Sequence, residues 1–388
     1  MGDNAYNPRR LINNYEQMGY GKARTDAVRY AMEQADLNND LYHMLYFRMV
    51  LCDETEWYGN GLDNFTAFPE LLAIIDKNAV EGQLPEQEFY SIIGDILWTY
   101  ESLLSLCTEY YQIPFNDCVN FHNDFKKRWI AYGRSPREPY RMMCVFYDEA
   151  GCTGQAGEAL SLLKASHMES YDCPGCIANT ELAYYLATGR KEEADKLAAK
   201  IEDGTLTCGG NLGNSNAIPR MHKRYLNYYL LNGMYEKAAE KAYILEHYKS
   251  DVIDYKLWAS FMCAYVYTNT GRGLRIYKKH WKDIENEQRP AYMYTSFKDA
   301  ACFFMGLKKA KDKDTVKLPL DNTFPLYNEE NIYNIESLAS YYYKKAEDVA
   351  KKFDKRNGTG KYTSELEISV KNILSGSVVA ARQPDSQV

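Results

Sequence analysis

Ile177-Ala178-Asn179-Thr180-Glu181-Leu182-Ala183-Tyr184-Tyr185-Leu186-Ala187-Thr188-Gly189-Arg190-Lys191-Glu192-Glu193-Ala194-Asp195-Lys196-Leu197-Ala198 is the stretch that decides the fold. Apolar residues recur at helical spacing up to Thr188, Gly189 interrupts them, and a second helical run follows. Ala194 stands five positions past the glycine. The plan then repeats: Tyr225-Leu226-Asn227-Tyr228-Tyr229-Leu230-Leu231-Asn232, the turn Gly233-Met234-Tyr235, and Glu236-Lys237-Ala238-Ala239-Glu240-Lys241-Ala242, with Ala238 five past Gly233. Gly takes the left-handed conformation that closes a helix, and the small Ala lets the returning helix lie close on the first. Two successive hairpins of one design, with no sustained strand alternation anywhere, predict an all-α chain.

The positions inside these hairpins resemble tetratricopeptide repeats. Leu182 and Tyr185, then Leu226 and Tyr229, stand where that family carries an apolar and an aromatic residue ahead of the turn. Ala198 and Ile201, then Ala242 and Leu245, match its later small or apolar sites, whereas its late Pro has no counterpart. The resemblance implies a right-handed superhelical solenoid of antiparallel helix pairs, and a role in protein or peptide binding rather than catalysis. The segment from Cys173-Pro174-Gly175-Cys176 through Gly189, Ala194 and Gly204 to Cys208 is also similar to a recurring segment of bacterial tetratricopeptide-like proteins. There a Pro soon after the third Cys is expected; here Pro219 is delayed by the Gly/Asn-rich residues 209–216, a loop by composition.

Outward from this core, Ser135-Pro136-Arg137 starts an earlier pair, with Gly154 as its turn and Ala159 as its small residue. Gly271 marks a later pair, and these starts recur near the roughly 34-residue tetratricopeptide period. Upstream, residues 9–36 form a first hairpin around Met18-Gly19-Tyr20-Gly21, and helical spacing resumes over 40–54, 64–78, the segment ending near Tyr111, and 116–129. Breaks fall at Gly59-Asn60-Gly61, at 82–85 and at Ile113-Pro114. Downstream, 290–309, 329–353 and 361–375 read as helices, 308–317 as a basic connection and 319–325 as an irregular loop. Four regions result: divergent N-terminal hairpins over 1–134, a repeat core over 135–289, a helical cap over 290–376 and a frayed tail over 377–388.

The formal net charge of −7 argues against a sequence-blind nucleic-acid binder, which needs basic surface. No apolar run reaches membrane-spanning length, and the N-terminus shows no secretory signal. Ten Cys without such a signal predict reduced thiols in a cytoplasm. Tyr, at 35 residues, suits helix seams and binding grooves alike, and packing accounts for most of them.

In a stack of pairs the first helices line the concave side. Asn179, Tyr184, Arg224, Asn227 and Tyr228 are the residues expected there to contact a partner; the alternative is that these Tyr pack between repeats. Cys173, Cys176 and Cys208 precede successive first helices, whose equivalent ends are neighbours. Three thiolates and a fourth ligand, His222 or His167, would hold a structural zinc. Buried packing thiols, or a reactive or disulfide pair, are the other readings. Enzyme motifs fail. Asn357-Gly358-Thr359-Gly360-Lys361-Tyr362 lacks the first Gly and the Ser/Thr of a phosphate loop and reads as a helix-ending turn. Asp36-Leu37-Asn38-Asn39-Asp40 lacks the Gly and Glu of a calcium loop and reads as a helix cap. The function expected is a non-catalytic protein- or peptide-binding scaffold with no cofactor for catalysis. The alternatives are a cytoplasmic peptide-sensing regulator, a toxin-neutralising partner, or a metal-dependent protein using the cysteines.

Overall fold

A computed structural model of the chain describes residues 6–58, 61–81, 86–170, 172–208, 217–248 and 257–377. Among them the chain is all-α, with 17 helices and one antiparallel pair of short strands. The breaks expected at 59–60 and 82–85, the loop at 209–216 and the tail from 378 lie outside the described residues. No described helix is long and apolar enough to cross a membrane. Backbone contacts divide the chain into two units, residues 1–110 with 116–133, and 111–115 with 134–388.

The first unit holds α1 (Pro8–Glu16), α2 (Lys22–Leu37), α3 (Leu41–Tyr58), α4 (Asn64–Glu81), α5 (Glu86–Glu109) and α6 (Phe115–Ala131). Its early helices pack in chain order, α1 on α2, α2 on α3 and α3 on α4. Val28, Ala31 and Ala35 of α2 meet Tyr15, Phe47 and Leu51 in one buried cluster. The calcium-loop-like segment has a structural use: Asp36 takes both Nη1 and Nη2 of Arg48, at 2.9 and 3.0 Å. Asp40 caps α3 by accepting from His43 N.

The second unit begins with three helix pairs. These are α7 (Arg137–Glu149) with α8 (Thr153–Ala165), α9 (Pro174–Ala187) with α10 (Lys191–Glu202), and α11 (Ala217–Leu231) with α12 (Tyr235–His247). The three turns are built alike. Gly151, Gly189 and Gly233 have φ of 79°, 75° and 68°. The residue after each donates back across the turn, Cys152 N to Tyr147 O, Arg190 N to Tyr185 O and Met234 N to Tyr229 O, at 2.8, 2.7 and 2.8 Å. This is the bond of a Schellman helix end. Ala156, Ala194 and Ala238, five residues past these glycines, are fully buried. The earliest turn therefore belongs to Gly151 and Ala156, not to Gly154 and Ala159: Gly154 already lies in the first turn of α8. Gly271 is likewise inside a helix, α14 (Thr270–Glu285), whose Asn269 caps it.

First helices also touch one another, α7 with α9, α9 with α11, and α11 with α13 (Trp258–Ala264). After α14 come α15 (Pro290–Lys311), β1 (Thr315–Lys317), β2 (Ile332–Asn334), α16 (Ile335–Asn357) and α17 (Lys361–Ser375). The strands correct the sequence reading of this region. Val316 pairs with Tyr333, and the helix expected from residue 329 starts at Ile335, where the Asn334 side chain caps it. Three residues per strand are too few for alternation to register. Tyrosines fill the core here: Tyr267, Tyr277 and Tyr342 are fully buried, Tyr277 and Tyr342 share a hydroxyl hydrogen bond of 2.9 Å, and Phe304 stacks on Tyr342.

Helix α17 is tied to the C-terminal ends of the first helices. Thr359 Oγ1 donates to Ala150 O and Lys361 Nζ to Asp148 O, both at 2.8 Å, at the end of α7. Asn372 Nδ2 donates to Leu231 O at 2.7 Å, at the end of α11. These side chains bond carbonyls at helix ends, where the chain supplies few backbone donors; Asp148 O also accepts from Gly151 N.

Candidate functional site

Two places in the second unit bring chemistry together. The larger is a cavity of about 720 Å³ bounded by the ends of α7, α9 and α11, the start of α15, and the 359–365 segment that opens α17. Its charged lining is Asp148, Glu149, Arg224, Lys298, Lys361 and Glu365. Glu149 accepts from Arg224 Nη1 at 2.9 Å and faces Lys361 Nζ at 3.6 Å. The side chains of Arg224 and Glu149 keep 36% and 34% of their surface accessible although α9, α15 and α17 surround them. That accessibility is to the cavity.

The placement of the acids runs against the helix dipole. Asp148 and Glu149 are the last two residues of α7, where the helix end is already negative. Burial pushes the Glu149 carboxyl up, but the Lys361 and Arg224 charges outweigh it and hold it down at about 2. Lys361 answers in kind: burial works to lower its pKa, and Glu149, Glu365 and Asp148 raise it above the usual lysine range. Asp148 and Glu365 fare differently. Burial raises both carboxyls, and the neighbouring acids raise them further against the pull of the lysines. Among the described residues the Asp148 carboxylate forms no ion pair, and Glu365 reaches only Lys361, at 3.9 Å. Lys298 is held by Asp299 at 3.1 Å, whose other oxygen accepts from Ser260.

Of the residues expected to contact a partner, Arg224, Asn227 and Tyr228 line this cavity. Asn179 does not. It is buried, and its Nδ2 bridges Gly175 O and Ala217 O at 3.0 and 3.1 Å, joining the starts of α9 and α11. Tyr184 is also off the cavity wall, because its hydroxyl lies over Gly157 of α8, where an added Cβ would come within 2.6 Å. The sequence reading misses Asp148, Glu149, Lys298, Lys361 and Glu365. One signal was present: an acidic pair just ahead of a helix-closing Gly opposes the dipole, as sites that trade stability for function often do.

The smaller place is the cysteine group. Cys173 is the N-cap of α9 and accepts from Cys176 N at 3.3 Å, with Pro174 opening the helix. The ligand atoms of Cys173, Cys176 and Cys208 all lie within 4.8 Å of one another, close enough to bind a metal. Cys176 Sγ and Cys208 Sγ are 3.7 Å apart, close to the roughly 3.8 Å edge of a tetrahedron with metal–sulfur bonds of about 2.3 Å. Gly175 makes the approach feasible. Its N donates to Thr207 O at 2.9 Å, and a Cβ there would meet Cys208 N at 2.7 Å.

Among the described residues the convergent group contains neither His222 nor His167. Arg220 on α11 donates from Nη1 to Cys176 Sγ at 3.5 Å, and residues two apart on a helix face away from each other. His222 is buried, its Nδ1 has no hydrogen bond, and desolvation, aided by Lys241, lowers its pKa to about 4. His167 is exposed. Comparison of the chain with protein-family models and with curated proteins gives no match.

Proposed function

We propose that this protein binds a short segment of another polypeptide in the cavity, without catalysing a reaction on it. The architecture we assign is a right-handed superhelical stack of tetratricopeptide-like helix pairs, whose first helices line the inner face. The three alike Schellman turns, the buried Ala five residues past each, and the contacts between first helices support it.

One observation supports binding above the others: a cavity of about 720 Å³ carries two loosely held carboxylates, Asp148, with no ion pair among the described residues, and Glu365, which meets Lys361 only at 3.9 Å. A Lys or Arg side chain, or a peptide amino terminus, is the group that would satisfy them. Tyr228 stands in the same lining and offers a ring to a cation. The volume is that of a small-ligand pocket rather than of a groove for a whole helix. That favours a short peptide, as in a peptide-sensing regulator, over a folded toxin. Zinc is the metal we assign to Cys173, Cys176 and Cys208, since thiolates at tetrahedral spacing suit it. Thiols held ready for a metal fit a reducing, cytoplasmic setting.

Selection of a random heptapeptide library on the full chain tests the binding reading. Peptides with a basic residue or an unblocked basic N-terminus should be enriched and should bind at least tenfold more weakly to the Asp148→Asn, Glu365→Gln variant. No enrichment, or enrichment unchanged by that variant, contradicts it.

A further inference from the structure

A closed structural zinc site takes four protein ligands, and three with an open position mark an exchangeable one. The described residues supply three sulfurs to the group and no imidazole or carboxylate. Residues 209–216, which follow Cys208 directly, contain no Cys, His, Asp or Glu. His222, buried on α11, is not among the convergent ligands. The three cysteines are half-buried rather than enclosed, and Arg220 beside them is exposed. We propose that Cys173, Cys176 and Cys208 hold one zinc ion by three thiolates and leave a fourth coordination position on the solvent side, filled by water and exchangeable for an external thiolate.

Charge and geometry agree with this. Each of the three thiols gives up its proton as the metal binds, so zinc with three thiolates carries a net charge of −1. The Arg220 guanidinium, 3.5 Å from Cys176 Sγ, offsets that charge while water is the fourth ligand. Its remaining donors face solvent at the rim, where they attract an anionic donor such as a thiolate. The two cysteine segments are joined without the metal by the Gly175 N to Thr207 O bond, and Asn179 ties α9 to the start of α11 at Ala217. The sulfurs are therefore preorganised, and loss or exchange of the fourth ligand need not disturb the fold.

The inference rests on the zinc reading above and adds the open position to it. The test uses the full chain, loaded with zinc and then with cobalt. Elemental analysis should give one zinc per chain, retained in His222→Gln and lost in Cys208→Ser. The cobalt form should show sulfur-to-cobalt charge-transfer absorption. Its visible bands should shift on titration with 2-mercaptoethanol and saturate at one thiol per metal. A chain that takes up no zinc or cobalt overturns the zinc reading and this inference with it. One bound metal whose bands do not respond to thiol, or whose zinc is lost in a folded His222→Gln chain, overturns the open position alone. The cobalt titration needs no variant, so it decides the matter even where Cys208→Ser fails to fold.

Discussion

The cysteine group and the charged cavity are built on opposite principles. The cysteines come from two short segments, one at the start of α9 and one before α11, and a backbone hydrogen bond joins them. The cavity draws its charges from residues 148 to 365, on four helices, and the packing of those helices with a few side-chain hydrogen bonds between them brings them together. The first place is locally determined and lined by soft donors; the second is globally determined and lined by charges of both signs. A defect at the cysteines should therefore leave binding in the cavity intact, whereas a defect in the cavity should leave metal uptake intact.

The largest expected effect breaks the first half of that comparison. Gly175→Ala drives a Cβ into the backbone at Thr207 and Cys208. It should abolish metal uptake and cost about 2 kcal/mol in urea unfolding, as overpacking against backbone does. Peptide binding in the cavity should change less than twofold. Metal uptake equal to that of the parent chain would show that the close approach is not needed.

Arg224→Ala comes next. It removes the hydrogen-bonded cation from Glu149 and leaves that carboxylate facing Lys361 alone. Because both partners keep about a third of their surface accessible, solvent screens the loss, and about 1–2 kcal/mol is expected by urea unfolding. Zinc content should stay at one per chain. The acid limb of the stability curve sharpens the point. Glu149, held at about 2 in the folded chain against a usual 4.5, contributes stability that is fully present above pH 4.5. That contribution is lost as pH falls toward 2. In Arg224→Ala the folded-state carboxyl rises toward its usual value, so the acid-side loss should be smaller and should end at a higher pH, and identical acid limbs for the two chains would contradict the pairing.

The smallest effect has the opposite sign. Asp148 lacks an ion pair and its carboxyl is raised by burial. Its charged form therefore costs stability at neutral pH, a cost relieved as pH falls toward the raised value. Asp148→Asn should stabilise the peptide-free protein by about 1 kcal/mol, or ~2–4 °C in Tm. The gain should shrink as pH falls below neutral, while affinity for basic peptides falls. A variant that is less stable at pH 7 would mean that the carboxylate has a partner and is no open site.

The same contrast explains what the sequence discloses. Gly189 with Ala194, and Gly233 with Ala238, report their hairpins directly, because a helix-closing Gly and a close-packed Ala are local requirements. The earliest pair misleads because two glycines, Gly151 and Gly154, compete for the turn; the structure gives it to Gly151, whose φ is 79°. The cysteine group is legible because equivalent ends of neighbouring helices carry it. His222 is not excluded by spacing alone, since the exclusion depends on which face of α11 meets Cys176. Lys361 sits in a segment that reads as a helix-ending turn, and it is one, with Gly358 in the left-handed region. Its second role needs α17 to lie across the end of α7, and no local pattern encodes that.

A photo-crosslinking benzoylphenylalanine at position 227, an exposed residue of the cavity wall, tests the central claim most directly. Irradiated in the source cell, it should join the chain to another polypeptide through a segment bearing a basic residue, and the Asp148→Asn background should remove the adduct. Crosslinks confined to the chain's own residues 359–365, or adducts indifferent to Asp148, would contradict it.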